Sequence, residues 1–243
     1  MSARIKAFLI HLSSSAVIAL IVLLLVFHIW YPSPLHTALG VTHIFLLLLG
    51  VDVVLGPLLT FLVFKVGKKT LVFDLAVICL LQLSALGYGV WTVAQGRPAW
   101  LVFNVDRFDL VQAVDIDARY LDKADAKYRS TPWFGPDWVA AARPVDKEQR
   151  QTIMFEAVLW GSDIAQRPHL YRPLDQFAND IAGRAQPLEK LNSFNESTAV
   201  SNALKVWPAA AAWLPLKARA KPMVVLLGQN RHEIIAIVDL NPW

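Results

Sequence analysis

Between Val41 and Phe64 the chain reads VTHIFLLLLGVDVVLGPLLTFLVF, an almost wholly apolar run followed at once by KVGKK. As a helix rising 1.5 Å per residue it is about 36 Å long, enough to cross a hydrocarbon core of about 30 Å. Apolar runs of similar length flank it at about residues 7–30 and 71–94. The sequence therefore predicts a membrane protein. Three transmembrane α-helices fill residues 1–95, with spans at about 7–30, 41–64 and 71–94, and a small exported α+β domain fills residues 96–243.

Charge separates the two parts. Residues 1–95 carry five Lys/Arg and two Asp/Glu, whereas residues 96–243 carry 18 and 17. The second balance is ordinary for a water-soluble domain. The formal net charge of +4 sits mostly in the membrane part, so topology rather than nucleic-acid binding accounts for it. Arg4 and Lys6 precede the first span, and Lys65, Lys68 and Lys69 follow the second. The loop 31–40 has no Lys or Arg. The bias predicts a cytoplasmic N-terminus, an outside first loop, an inside second loop and an outside C-terminal domain. The first run is too long for a signal core and no small-x-small cleavage site follows it, so it reads as a retained span. Trp30, Tyr31, Tyr88, Trp91 and Trp100 fall near the expected outer boundary, where amphipathic rings prefer to sit. Cys79 is the single cysteine, which excludes a cysteine-stapled exported fold.

Asp52 lies near the middle of its span, where an unpaired carboxylate is costly. Gln82, His43 and Thr42 are the local candidates to meet it, or a group from another chain. The residues leave both a partner contact and a purely structural polar contact open. Gly56-Pro57 removes one backbone donor and invites a bend, either for packing or as a hinge. Ser13, Ser14 and Ser15 offer hydroxyls or simply small surfaces to a neighbouring helix. Asp74 opens the third span as a carboxylate near a helix N-terminus.

The exported part opens with a β-branched and aromatic stretch from Ala99, read as a strand. Residues 115–128 read as a polar helix. Residues 131–138, TPWFGPDW, form a rigid aromatic loop. Trp133, Phe134 and Trp138 there are either a binding edge or internal packing. Lys147 to Trp160 reads as an amphipathic helix with Ile153, Met154, Ala157 and Trp160 on one face. A short helix is expected over 174–181 and a weaker one over 188–204. Trp207-Pro208 and Leu214-Pro215 bound an alanine-rich turn, and residues 223–240 carry a hairpin signal.

The search for chemistry is negative. No P-loop, GxSxG or dinucleotide fingerprint occurs. The histidines have no ligand spacing, so neither a metal nor a cofactor is expected. Ser162, Asp163 and His169 are close in sequence, which does not create catalytic geometry.

The phrases RIKAFLIHL, WYPSPL, GVTHIFLLLLGVDVVLGPLLTFLVFKVGKK, FDLAVICLLQL and GRPAWLVFNVDRFDLV resemble the type IV pilin accessory protein family of bacterial inner membranes. The likeness is densest over residues 4–111. It implies an inner-membrane, multi-pass protein whose C-terminal domain is periplasmic. It also implies a non-enzymatic accessory factor or chaperone serving pilin stability, pilus assembly or the extension–retraction balance behind twitching motility. The implied partners are a major or minor type IV pilin, assembly components of the inner membrane and membrane lipid, with no nucleic acid. Asp52, Gly56, Pro57, Trp133, Phe134 and Trp138 are the candidate contact residues. The alternative is a membrane-anchored enzyme modifying a pilin or another envelope substrate, with Asp163 and His169 drawn into a cleft.

Overall fold

The computed structural model describes residues 2–243. The chain divides into two compact units. One comprises the chain up to Ile29 together with Gly40–Gly96; the other comprises Trp30–Leu39 together with Arg97–Trp243.

The first unit contains three long apolar helices, each long enough to cross a membrane. Helix α1, Ala3–Leu24, begins at a Ser2 cap and continues at π-helical pitch over Leu25–Trp30. After α2, Leu35–Ala38, helices α3, Val41–Val63, and α4, Leu71–Gln95, follow. Helix α3 packs between α1 and α4. Arg4 locks the ends of the first pair together. Its guanidinium donates to the carbonyls of Phe61 (2.5 Å) and Leu62 (2.9 Å) and lies 4.7 Å from the Phe61 ring centroid. A cation thus satisfies carbonyls that the last turn of α3 leaves open, and the helix dipole favours it there. Asp74 in the first turn of α4 binds Lys68 at 2.8 Å and Thr70 at 3.0 Å.

The second unit is built on an eight-stranded curled sheet. Its strands are β1, Pro98–Asn104; β2, Arg107–Gln112; β3, Asp137–Ala141; β4, Tyr171–Arg172; β5, Gln186–Pro187; β6, Ala212–Lys217; β7, Met223–Leu227; and β8, Ile234–Val238. The order is β4-β3-β1-β2-β6-β7-β8, with β5 pairing onto β6. Strand β1 is antiparallel to β2 but parallel to β3, and β2 is parallel to β6. Helices α5, Lys147–Trp160, α6, Ala178–Arg184, and α7, Ser197–Val206, complete the α+β architecture.

Side-chain alternation buries both faces of this sheet. Leu101, Phe103, Leu214, Leu216 and Val225 share one face with Ile181 of α6. On the other face Trp100 and Val102 pack with Tyr128 and Tyr171, while Trp213, Val224 and Leu226 pack with Leu191 and Val200. The first face is completed from an unexpected place. Leu35 and Ala38 of α2, from the loop between the first two spans, are buried in that same core. The Ala38 carbonyl accepts from the amides of Ala220 and Lys221, both at 3.0 Å.

Several local expectations need correction. Residues 115–128 form three short 3₁₀ turns, not a helix. The Asp117 side chain takes the Arg119 amide and starts a new turn there, as aspartates do when they compete with the backbone. The opening strand, by contrast, is present as expected in β1, and it is the first arm of a hairpin that turns at Val105 (φ 63°). Leu214-Pro215 is not a boundary but lies inside β6, opposite Val225 and Val224. Residues 188–204 divide into a 3₁₀ turn and the start of α7. Helix α5 has the expected ends, yet Met154 and Trp160 of its supposed inner face are exposed and only Ile153 is buried. Trp30, Tyr31 and Trp100 are buried within the second unit, whereas Tyr88 and Trp91 stay exposed on α4.

Candidate functional site

Gln82 of α4 is the centre of a polar network inside the first unit. Its amide oxygen lies 3.0 Å from His11 Nε2, and His11 Nδ1 lies 2.6 Å from Thr60 Oγ1. Its amide nitrogen donates to Ser15 Oγ at 2.9 Å and to the Asp52 carbonyl at 3.1 Å. An amide oxygen facing Nε2 requires the proton on that nitrogen, so Nδ1 accepts from the Thr60 hydroxyl. One glutamine thereby links α1, α3 and α4 through side-chain hydrogen bonds. Such bonds replace the hydrophobic drive that lipid removes.

The network sits on a stripe. His11 and Ser15 are four residues apart on α1, and Asp52, Gly56 and Thr60 follow the same interval on α3, which sets each group on one helix face. Gly56 is essential to the geometry: a Cβ built there would lie 1.7 Å from Gln82 Oε1. Its absence of a side chain is what lets the amide cross α3. Pro57 is buried in the same turn, and α3 continues through it to Val63.

Beside this network, α3 and α4 form an apolar groove of about 600 Å³. Leu47, Val51, Leu55 and Leu81 line it, and the half-buried Asp52 and Gln82 supply its polar edge. Asp52 and Gly56 therefore share one site, joined by Gln82. His11, Ser15 and Thr60 complete the constellation; of these the sequence singled out only Ser15, as a hydroxyl offered to a neighbouring helix.

Among the exported candidates, Trp138 packs inward on β3, its ring edge-on to Phe108 at 5.0 Å. Trp133 and Phe134 are 54% and 88% exposed. The residues drawn for the enzyme alternative are structural. Asp163 accepts from the Ile164 amide and opens a capping box with Gln166. His169 stacks edge-on against Tyr120 at 5.1 Å, and burial holds its pKa below the usual value. Ser162 donates to Asp117 at 2.5 Å. Asp117 also binds Arg119 at 2.5 Å, and Arg119 continues to Glu156 at 2.8 Å. Glu156 in turn binds the buried Arg167 at 2.5 Å. Hydrogen bonds from Arg119 hold the Asp117 carboxyl well below the usual carboxylate range. A carboxylate held so firmly as an anion is a poor base for Ser162. No cluster of three metal-ligating side chains occurs among the described residues.

A fimbrial assembly protein of Dichelobacter nodosus, serogroup E1, is 33% identical over 94% of this chain and 92% of its own length. The chain belongs to the FimB-type fimbrial assembly family. The family profile, "Fimbrial assembly protein FimB", matches residues 1–40. The serogroup I protein of D. nodosus is 32% identical over the same shares of both chains. A protein of serogroups C1 and C2 is 36% identical over 44% of this chain and 83% of its own length. No solved structure matches. This FimB-family chain is a multi-pass inner-membrane protein, and its role is an accessory one in fimbrial assembly rather than catalysis.

Proposed function

We propose that the chain receives a type IV pilin subunit in the inner membrane before assembly, with the pilin's apolar N-terminal helix seated in the groove between α3 and α4. One observation carries this reading: an apolar groove opens along two membrane helices and holds a carboxylate, Asp52, at its edge. Such a groove is reached only through lipid, so its occupant is another membrane segment. The family relationship to fimbrial assembly proteins selects a pilin among such segments. Asp52 has no Lys or Arg near it along the spans, and an amino group or free backbone donor of the incoming helix would stabilise it. Gln82 and Gly56 keep the groove wall in place. The exported domain then stands in the same compartment as the pilin head, with inner-membrane assembly components as further neighbours.

The orientation that accompanies this reading puts the N-terminus and residues 65–70 in the cytoplasm, and residues 31–40 and 97–243 in the periplasm. Basic residues favour it. The shared core of residues 35–38 with the sheet requires those two segments on one side of the membrane. Reporters fused in 65–70 should read cytoplasmic and those in 31–40 periplasmic.

The decisive experiment is photocrosslinking in cells from Leu47 and Val51 in the groove, with Leu80 outside it as control. Capture of a pilin from the groove positions but not from Leu80 is expected. Asp52→Asn, which keeps size but removes charge, should accumulate normally and lower that capture. Equal capture from groove and control, or from Asp52→Asn and parent, refutes the reading.

A further inference from the structure

The chain enters the exported unit twice from a membrane span: at Trp30, where the first helix ends, and at Arg97, two residues beyond α4. Both residues grip the same loop, 131–136. Arg97, 3% exposed, donates from Nε to the Pro132 carbonyl at 3.0 Å and from Nη2 to Thr131 Oγ1 at 2.8 Å. Its guanidinium carbon lies 4.0 Å from the Trp133 ring centroid. The Trp30 ring approaches Trp133 at 6.3 Å. Pro132 and Pro136 stiffen the loop further, and Gly135 supplies the left-handed turn between them at φ 83°. The sheet register points the same way. Strand β3 runs parallel to β1 with Asp137 opposite Trp100, so the loop before Asp137 lies at the β1 end that leaves the membrane.

Two residues of extended chain reach at most about 7 Å. Arg97 is thus kept within that distance of the end of the third span by its own connection, and it holds Trp133 directly. The tip of this rigid loop presents Phe134 at 88% exposure and Trp133 at 54%. Tryptophan and other aromatic rings prefer the boundary between headgroups and acyl chains.

We propose that Trp133 and Phe134 form an interfacial anchor that enters the headgroup region of the outer leaflet, its ligand being phospholipid. Arg97 is its positioning residue. The anchor is independent of pilin capture, since it uses a different unit and different residues. Lipid fits better than a second protein because the area is small. Two aromatic side chains cover about 300–500 Å² at most, below the roughly 800 Å² per partner of a stable protein interface. The anchor would fix the attitude of the exported domain over the bilayer, where two short tethers alone leave it free to rock.

The test replaces Phe134 with p-benzoylphenylalanine in the full-length protein in native membranes. Val105 lies at the opposite end of β1, seven residues along the strand and about 20 Å away, and serves as the exported control. Leu80, 66% exposed on α4, is the lipid-contact control. After irradiation, mass spectrometry of the purified protein should find phospholipid adducts at position 134, approaching the Leu80 yield and on the order of tenfold above Val105. A position-134 yield no higher than that of Val105, or an adduct to a protein instead, overturns the proposal. A second copy of this chain and a pilin head both count as such proteins.

Discussion

Gly56→Ala tests the polar network at its tightest point. The added Cβ would sit 1.7 Å from Gln82 Oε1 and 2.5 Å from its amide carbon. The Gln82 side chain must swing away, giving up its contacts to His11, Ser15 and the Asp52 carbonyl together. Hydrogen bonds between membrane helices average about 0.6 kcal/mol, so three of them amount to about 2 kcal/mol. Alanine's helix preference over glycine offsets about 1 kcal/mol, leaving a net loss of about 1 kcal/mol. Gly50→Ala is the control, because nothing lies within 4 Å of its Cβ. It should gain up to about 1 kcal/mol from the same preference. The two alanine variants should thus differ by about 2 kcal/mol, roughly a thirtyfold ratio in unfolding equilibrium. The assay is reversible unfolding in bicelles titrated with denaturing detergent, followed by helical circular dichroism. In a Gln82→Ala background the clash is gone, and Gly56→Ala should then behave like Gly50→Ala. If Gly56→Ala matches Gly50→Ala in the parent protein, Gln82 does not cross α3 at this glycine and the network is wrong.

Three further outcomes follow from the exported unit. Leu35→Ala, although in the loop between two spans, should destabilise the sheet by about 2–4 kcal/mol; faster amide exchange in β6 and β7 would report it. Asp117 is held ionised by Arg119. Its contribution to stability is therefore complete above its ordinary pKa of about 3.9 and is lost as pH falls from there toward the depressed folded value. Melting curves of Asp117→Asn should lack that acid-side component. Asp163→Asn and His169→Gln should each leave surface piliation near the parent level at equal protein abundance, because neither residue forms part of a reacting set; severe loss in both at unchanged folding would revive catalysis.

The membrane helices were legible because lipid imposes one rule, an apolar run of sufficient length, and residues 41–63 and 71–95 meet it with few polar interruptions. The α+β class followed from β-branched and aromatic runs at both ends of the exported part. The network was only half legible. Asp52 and Gln82 attract attention as polar groups among leucines, but Gly56 beside a proline suggested a bend rather than a crossing point. Its meaning depends on which side chain of another helix faces it, and no local pattern states that. Pro215 misled for the opposite reason. Proline usually ends a strand, yet here its antiparallel and parallel neighbours bond around it. The aspartates of residues 115–125 looked compatible with a solvated helix, but Asp117 caps the Arg119 amide and restarts the turn there. The exposed side of α5 escaped because period alone cannot tell a packed face from an open one.

The burial of Leu35 and Ala38 beneath the sheet makes the exported fold a discontinuous one, encoded in two pieces with a pair of membrane crossings between them. Its first piece emerges early in synthesis, and the turn between β6 and β7 whose amides donate to it, at Ala220 and Lys221, is among the last parts made. The short stave must therefore wait, already translocated, while both crossings and most of the second piece are delivered. Closure of the core is a long-range event with the slow kinetics such contacts bring, and it depends on both crossings: a chain whose second or third crossing fails leaves its two pieces in different compartments. The same logic bears on laboratory work. A fragment cut at Arg97 lacks the Leu35–Ala38 stave and opens an apolar sheet face to water, whereas one carrying residues 30–39 on a flexible linker restores it.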